Sequence, residues 1–194
     1  MSRSCREPRA LPPAWRMIAA VLRSPDNEAM TPRPDSGPDQ VLMRRALDLA
    51  RQARAHGNHP FGALLADADG KVRLEAENTV VTEGDCTGHA EINLMKLACL
   101  NLDRDALAAA TLYTSTEPCA MCAGAIYWAG LSQVEFGLRE GELRALTGDD
   151  PNNPTLALPC REVFARGQRP IEVMGPLLED EARAVHEGYW RAPP

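Results

Sequence analysis

Between residues 39 and 55 the apolar side chains Val41, Leu42, Ala46, Leu49, Ala50 and Ala53 recur at helical spacing, with Arg44, Arg45, Arg51 and Arg54 between them. That pattern predicts an amphipathic helix, capped by Asp39, ended by Gly57, with its arginines on a solvated face. Residues 59–66 read as a buried strand, Asp69-Gly70 as a tight turn, and 71–78 as the returning strand of a hairpin. The polar connection 79–88 delivers the chain to His89, where the apolar run 92–100 predicts a second helix. A short β-prone run at 111–115 precedes a helix over 119–129, with Pro118 suited to its first turn. A strand at 132–137, a helix at 139–146 and a loop at 147–159 follow. A helix at 161–166, a strand at 171–174 and a final helix at 177–189 complete the series.

Strand–helix–strand repeats ask for a parallel sheet with right-handed crossovers, and the opening hairpin makes that sheet mixed. The expected fold is α/β, a three-layer α/β/α sandwich with a mixed sheet of about five strands. A helix between the fourth and fifth strands makes that pair parallel. No internal repeat breaks the pattern, so residues 39–194 read as one domain. Residues 1–38 carry prolines at 8, 12, 13, 25, 32, 34 and 38 with little apolar surface to bury, and read as a disordered extension.

Composition narrows the function classes. No apolar run reaches the roughly 18–20 residues that span a membrane. The net charge of −6 is uneven: residues 1–34 hold six arginines against Glu7, Asp26 and Glu28, which leaves 15 basic and 24 acidic residues in the remainder. A body of net −9 weighs against a large nucleic-acid partner, because phosphate backbones select basic surfaces. The six cysteines (5, 86, 99, 119, 122 and 160) follow no secretory signal, so a reducing cytoplasm is the expected compartment. Cys99, inside an apolar helical run, reads as a small buried hydrophobe.

Two stretches carry candidate chemistry. His89-Ala90-Glu91 opens one helix, and Glu117-Pro118-Cys119-Ala120-Met121-Cys122 opens another. Cysteines three apart on a helix share a face, and a helix start favours thiolates. One imidazole and two thiolates suit tetrahedral zinc, and three protein ligands leave a fourth position open, as in catalytic sites. Glu91, two residues from His89, can move a proton beside such a site. Two other readings stand beside this one: a thioredoxin-like redox pair at Cys119 and Cys122, and a structural zinc completed by Cys86 or His59.

The paired motif resembles the zinc-dependent cytidine/deoxycytidylate deaminase superfamily, over roughly residues 39–137. The resemblance implies a cytidine deaminase-like fold and one zinc ion per chain on His89, Cys119 and Cys122. It implies a bound hydroxide and Glu91 as the proton shuttle that releases ammonia from an amino-bearing ring carbon. It further implies that Asn78, Phe61 and Ala63 contact the base, with Tyr189 and Trp190 as candidates to cap the pocket. His59-Pro60-Phe61-Gly62-Ala63 looks like guanine and nucleoside deaminases, whereas 124–129 is shared by guanine deaminases and tRNA adenosine deaminases. The expected partner is therefore a small nucleobase or nucleoside, guanine first. A tRNA adenosine, cytosine or another small aminated heterocycle is the alternative, as is a catalytically silent binding module. A homodimer, with Ile126, Tyr127 and Trp128 near its interface, is expected by the same resemblance.

Overall fold

The computed structural model describes residues 38–148 and 156–190. Apart from Pro38, the expected N-terminal extension lies outside them. The elements run α1 (Pro38–Ala55), β1 (Gly62–Ala66), β2 (Val72–Glu77), α2 (Val80–Glu83), α3 (Ala90–Asn101), α4 (Arg104–Ala109), β3 (Thr111–Thr116), α5 (Ala120–Ala129), β4 (Gln133–Leu138), α6 (Glu140–Thr147), α7 (Cys160–Phe164), β5 (Glu172–Met174) and α8 (Glu179–Val185). The sheet order is β2-β1-β3-β4-β5. β1 is antiparallel to both β2 and β3, while β3–β4 and β4–β5 are parallel. The mixed five-stranded sheet flanked by helices matches the expected architecture.

α1 lies along β1 to β4 and meets α8, whereas α3 covers β1 and β2 and packs beside α5. Leu42, Met43, Ala46 and Leu49 of α1 bury against Leu64 and Ala66 of β1 and Tyr113 of β3. Leu47 and Ala50 join Leu138, Leu143, Ala182 and Val185 in a second cluster. Ala63 and Leu65 alternate with Leu64 and Ala66, so they point to the face under α3. Glycine at position 62 permits the close approach of α1: a Cβ there would lie 2.4 Å from the Ala50 nitrogen and 2.6 Å from the Ala46 oxygen.

Several expectations change. The first strand begins at Gly62 instead of 59, leaving His59-Pro60-Phe61 as an approach segment. Asp39 falls inside α1, where its Oδ1 accepts from Tyr113 Oη at 2.8 Å instead of capping the helix. The arginines of α1 are more than a solvated face. Arg44 and Arg45 each make paired contacts, to Glu181 of α8 and Glu75 of β2, and Arg54 donates to the carbonyls of Val185 and Glu187. Gly57 ends α1 with φ +88°, as its position predicted.

Two short helices, α2 and α4, occupy segments read as loop or left unassigned. Asn58 Oδ1 accepts from the N–H groups of Val81 and Thr82, and Asp103 caps α4 by accepting from Ala106 N. Cys99 is exposed, correcting its reading as buried, because it lies on the outer side of the last turn of α3. The last helix stops at Val185, well short of residue 189. The buried His186 ring then takes a hydrogen bond from Trp190 Nε1 at Nδ1 (3.1 Å) and faces Thr116 Oγ1 through Nε2 at 3.4 Å. Gly188, at φ +67°, turns the chain in the left-handed conformation that ends helices, and these bonds fix the turns around it.

Candidate metal centre and active site

His89 and Cys119 occupy equivalent positions, each the N-cap of a helix that packs against the other. Pro118 therefore precedes the cap and does not sit in the first turn. The backbone around His89 is fixed by Asn93, whose side-chain amide donates to the Glu77 carbonyl, Thr79 Oγ1 and the Gly88 carbonyl. That anchors the start of α3 to the end of β2. Cys122 follows one turn into α5 and is fully buried.

The ligand atoms converge. His89 Nδ1 lies 3.7 Å from Cys119 Sγ and 3.5 Å from Cys122 Sγ, and all three atoms fall within 4.8 Å of one another. A tetrahedral zinc with ordinary Zn–S and Zn–N bonds has S···N edges of roughly 3.5–3.6 Å. The spacing fits that ion. Cys86 is exposed and belongs to no metal-binding group among the described residues, and neither does His59. The fourth-ligand reading therefore has no support in the geometry.

Glu91 is buried in the first turn of α3. Its Oε1 accepts from Thr114 Oγ1 at 2.8 Å, and its Oε2 faces Cys122 Sγ at 3.4 Å. Thr114 pairs with Ala63 across β1 and β3, so Ala63 shares that face of the sheet beside Glu91. The protons are unevenly shared. Hydrogen bonding from Cys122 and His89 pulls the Cys119 thiol down to about 4, whereas Cys122 is pushed up by its bond to Cys119 and by burial. His89 is raised, chiefly by its bond to Cys119, and Glu91 is raised by burial and by the Cys119 charge. Protons here hold together groups that a dication would hold by itself, since metal binding displaces protons from thiols and imidazole.

Asn78 follows β2 and is fully buried, its backbone N–H donating to the Phe61 carbonyl at 3.0 Å. Its Oδ1 accepts from Val80 N, while its Nδ2 has no hydrogen-bond partner. Buried amide hydrogens are seldom left unmet. Phe61 sits one residue before β1, its ring packed on His59, His186 and Trp190. Trp190 also packs on His59 and Tyr189. The aromatic cluster thus covers the β1 approach segment.

Thr114, Glu117 and Glu140 were missed by sequence reasoning. Glu117 is buried, its Oε2 accepting from Glu140 N at 3.2 Å and its Oε1 from Cys160 N at 3.1 Å. The buried Glu140 carboxyl is raised to about 7 by burial, then by the charges of Cys119, Glu117 and Glu91. Glu117 stands inside the motif, but nothing in the spacing assigned it a role. Glu140 and Thr114 reach the site only through tertiary folding.

Comparison with known proteins agrees with this geometry. Residues 36–138 match the cytidine and deoxycytidylate deaminase zinc-binding region. The "Probable cytosine deaminase" of Schizosaccharomyces pombe is 42% identical over 152 residues, covering 78% of this chain and 92% of that protein. The solved guanine deaminase from Nitrosomonas europaea superposes with a TM-score of 0.65 at 27% identity, covering 97% of this chain and 98% of that one. A solved tRNA:A34 deaminase superposes at 0.60 with 30% identity, covering 75% and 98% respectively. The chain belongs to the cytidine and deoxycytidylate deaminase family, hydrolytic enzymes that act on carbon–nitrogen bonds.

Proposed function

We propose that the protein is a zinc-dependent deaminase of a free nucleobase or nucleoside, with guanine as the first substrate. The observation that carries this reading is the His89–Cys119–Cys122 triangle, half-buried at His89 and Cys119 and buried at Cys122, with the buried Glu91 against it. One zinc ion per chain, when bound there, supplies the Lewis acidity that makes water a nucleophile at neutral pH. The protein's own groups do the rest. Glu91 takes the proton from the attacking water and delivers it to the departing amino group, which leaves as ammonia. Thr114 fixes one Glu91 oxygen and so aims the other. Asn78 Nδ2 donates to an acceptor on the base, and Phe61, Ala63 and Trp190 form its apolar surroundings.

Guanine stands first because the 59–63 segment resembles guanine deaminases and because the Nitrosomonas europaea guanine deaminase matches along almost its whole length. Cytosine is the second reading, supported by the Schizosaccharomyces pombe relative. The tRNA reading is disfavoured by the acidic body, since editing a tRNA requires basic surface for its phosphates. A panel of bases, nucleosides and an anticodon stem-loop, assayed for ammonia, separates the three. Guanine turnover insensitive to salt is expected. Editing of the stem-loop with a steep salt dependence, and no action on free bases, would overturn the proposal.

The same reading includes a homodimer. Trp128 is 85% exposed and Met121, two turns earlier on α5, is 38% exposed, with half-buried Gly124 and Ala125 between them. An apolar helix face of this kind needs a cover, and a second copy supplies one by symmetry.

A further inference from the structure

Glu117 lies two residues before Cys119, and its backbone N–H is already bound to the Leu138 carbonyl at 2.7 Å. It is only 7% exposed, and both of its carboxylate oxygens accept backbone N–H groups. One belongs to Glu140, the first residue of α6, and the other to Cys160, the first residue of α7. Cys160 adds its thiol to the same oxygen at 3.4 Å, and that thiol is fully buried. A single carboxylate therefore joins three segments that are far apart in sequence: the metal-binding loop and the starts of two helices.

The use of this junction follows from what α6 presents. Glu140 is 7% exposed, and its carboxyl faces Cys119, Glu117 and Glu91 together with the cationic groups Arg144 and His89. It is held there by its backbone, and its backbone is held by Glu117.

We propose that Glu117 is a positioning residue that holds the Glu140 carboxyl against the metal-binding site and ties α7 to the same loop. The inference rests on the deaminase reading only for its kinetic readout. Glutamine is the sharp probe. It keeps the size of Glu117 but offers one acceptor oxygen and an NH₂ group, so it can serve only one of the two backbone donors. A role of filling space would tolerate it.

The test compares wild type, Glu117→Gln, Glu140→Gln and the double variant, each loaded with cobalt(II) in place of zinc. Visible thiolate–cobalt bands report the geometry around Cys119, and melting temperature reports folding. Glu117→Gln is expected to displace the bands and to lower kcat/KM about tenfold on whichever base the wild type accepts. Because Glu117 acts through Glu140, the double variant is expected to lose no more than the worse single variant, a non-additive pair. Unchanged bands in Glu117→Gln, with only a lower melting temperature, would overturn the proposal, as would losses that multiply. If the wild type turns over no base, the deaminase reading fails while the band positions still decide this one.

Discussion

At the scale of single residues, the proposed chemistry divides between groups that would hold a metal and groups that would move a proton or grip a base. Glu91→Gln keeps the volume of the buried carboxyl and its bond to Thr114 but removes the proton carrier. It is expected to lower kcat by about 10²–10⁴-fold with zinc content unchanged, measured by turnover beside metal analysis. Loss of zinc instead would place Glu91 among the ligands. Asn78→Ala removes the unmet amide hydrogen and is expected to raise KM about tenfold while leaving the cobalt bands in place. The convergence of His89, Cys119 and Cys122 with Glu91 was legible in the sequence because His89 and Glu91, and the two cysteines, each lie within one helical turn, so spacing sets the positions within each pair. Glu117, Glu140 and Thr114 were not. Their importance comes from meeting across β3, α3, α5 and α6, and no local pattern encodes that meeting.

At the scale of elements, the alternation of strands and long helices was readable because α1 keeps an amphipathic period, while β1, α3, β3, α5 and β4 are buried apolar runs bounded by turn and cap signals. What the pattern did not reveal were α2 and α4, four and six residues long: the distant Asn58 accepts from the N–H groups of α2, and the N-cap Asp103 accepts from that of Ala106 in α4. The last helix was read as too long although Gly188, with φ +67°, is a local stop signal, and the His186 bonds to Trp190 and Thr116 fix the turns around it. The approach of α1 to β1 gives the clearest element-scale prediction. A methyl at position 62 would collide with the Ala50 nitrogen, the Ala46 oxygen and the Leu49 Cβ at 2.4–2.6 Å. These are backbone atoms of a packed helix or atoms beside it, and they cannot yield cheaply. Gly62→Ala is therefore expected to destabilise the fold by about 1–3 kcal/mol or more, read from urea denaturation. A neutral result would mean that α1 rides free of β1.

At the scale of the molecule, stability depends on pH through His186. Burial lowers its pKa to about 4, against roughly 6.5 in an unfolded chain. Between those values the unfolded chain binds more protons, so stability rises with pH across that window. Acidifying through it is expected to cost on the order of 3 kcal/mol through this one group. Glu135 works in the opposite sense. It is raised to about 7, first by burial and then by Asp39, so its contribution is greatest in acid and fades as pH rises through 7. The difference between wild type and His186→Gln, followed from pH 7 to pH 4, isolates the histidine: the melting temperatures should converge toward pH 4. The proposed assembly is tested by sedimentation, where wild type is expected to run as a dimer and Trp128→Glu as a monomer. The central claim is tested most directly by ammonia release from guanine and cytosine by the zinc-loaded protein, with Glu91→Gln and chelated protein run beside it. Turnover of a free base that vanishes in both controls is the expected result. A protein that holds zinc stoichiometrically yet releases no ammonia from any base or nucleoside would contradict it.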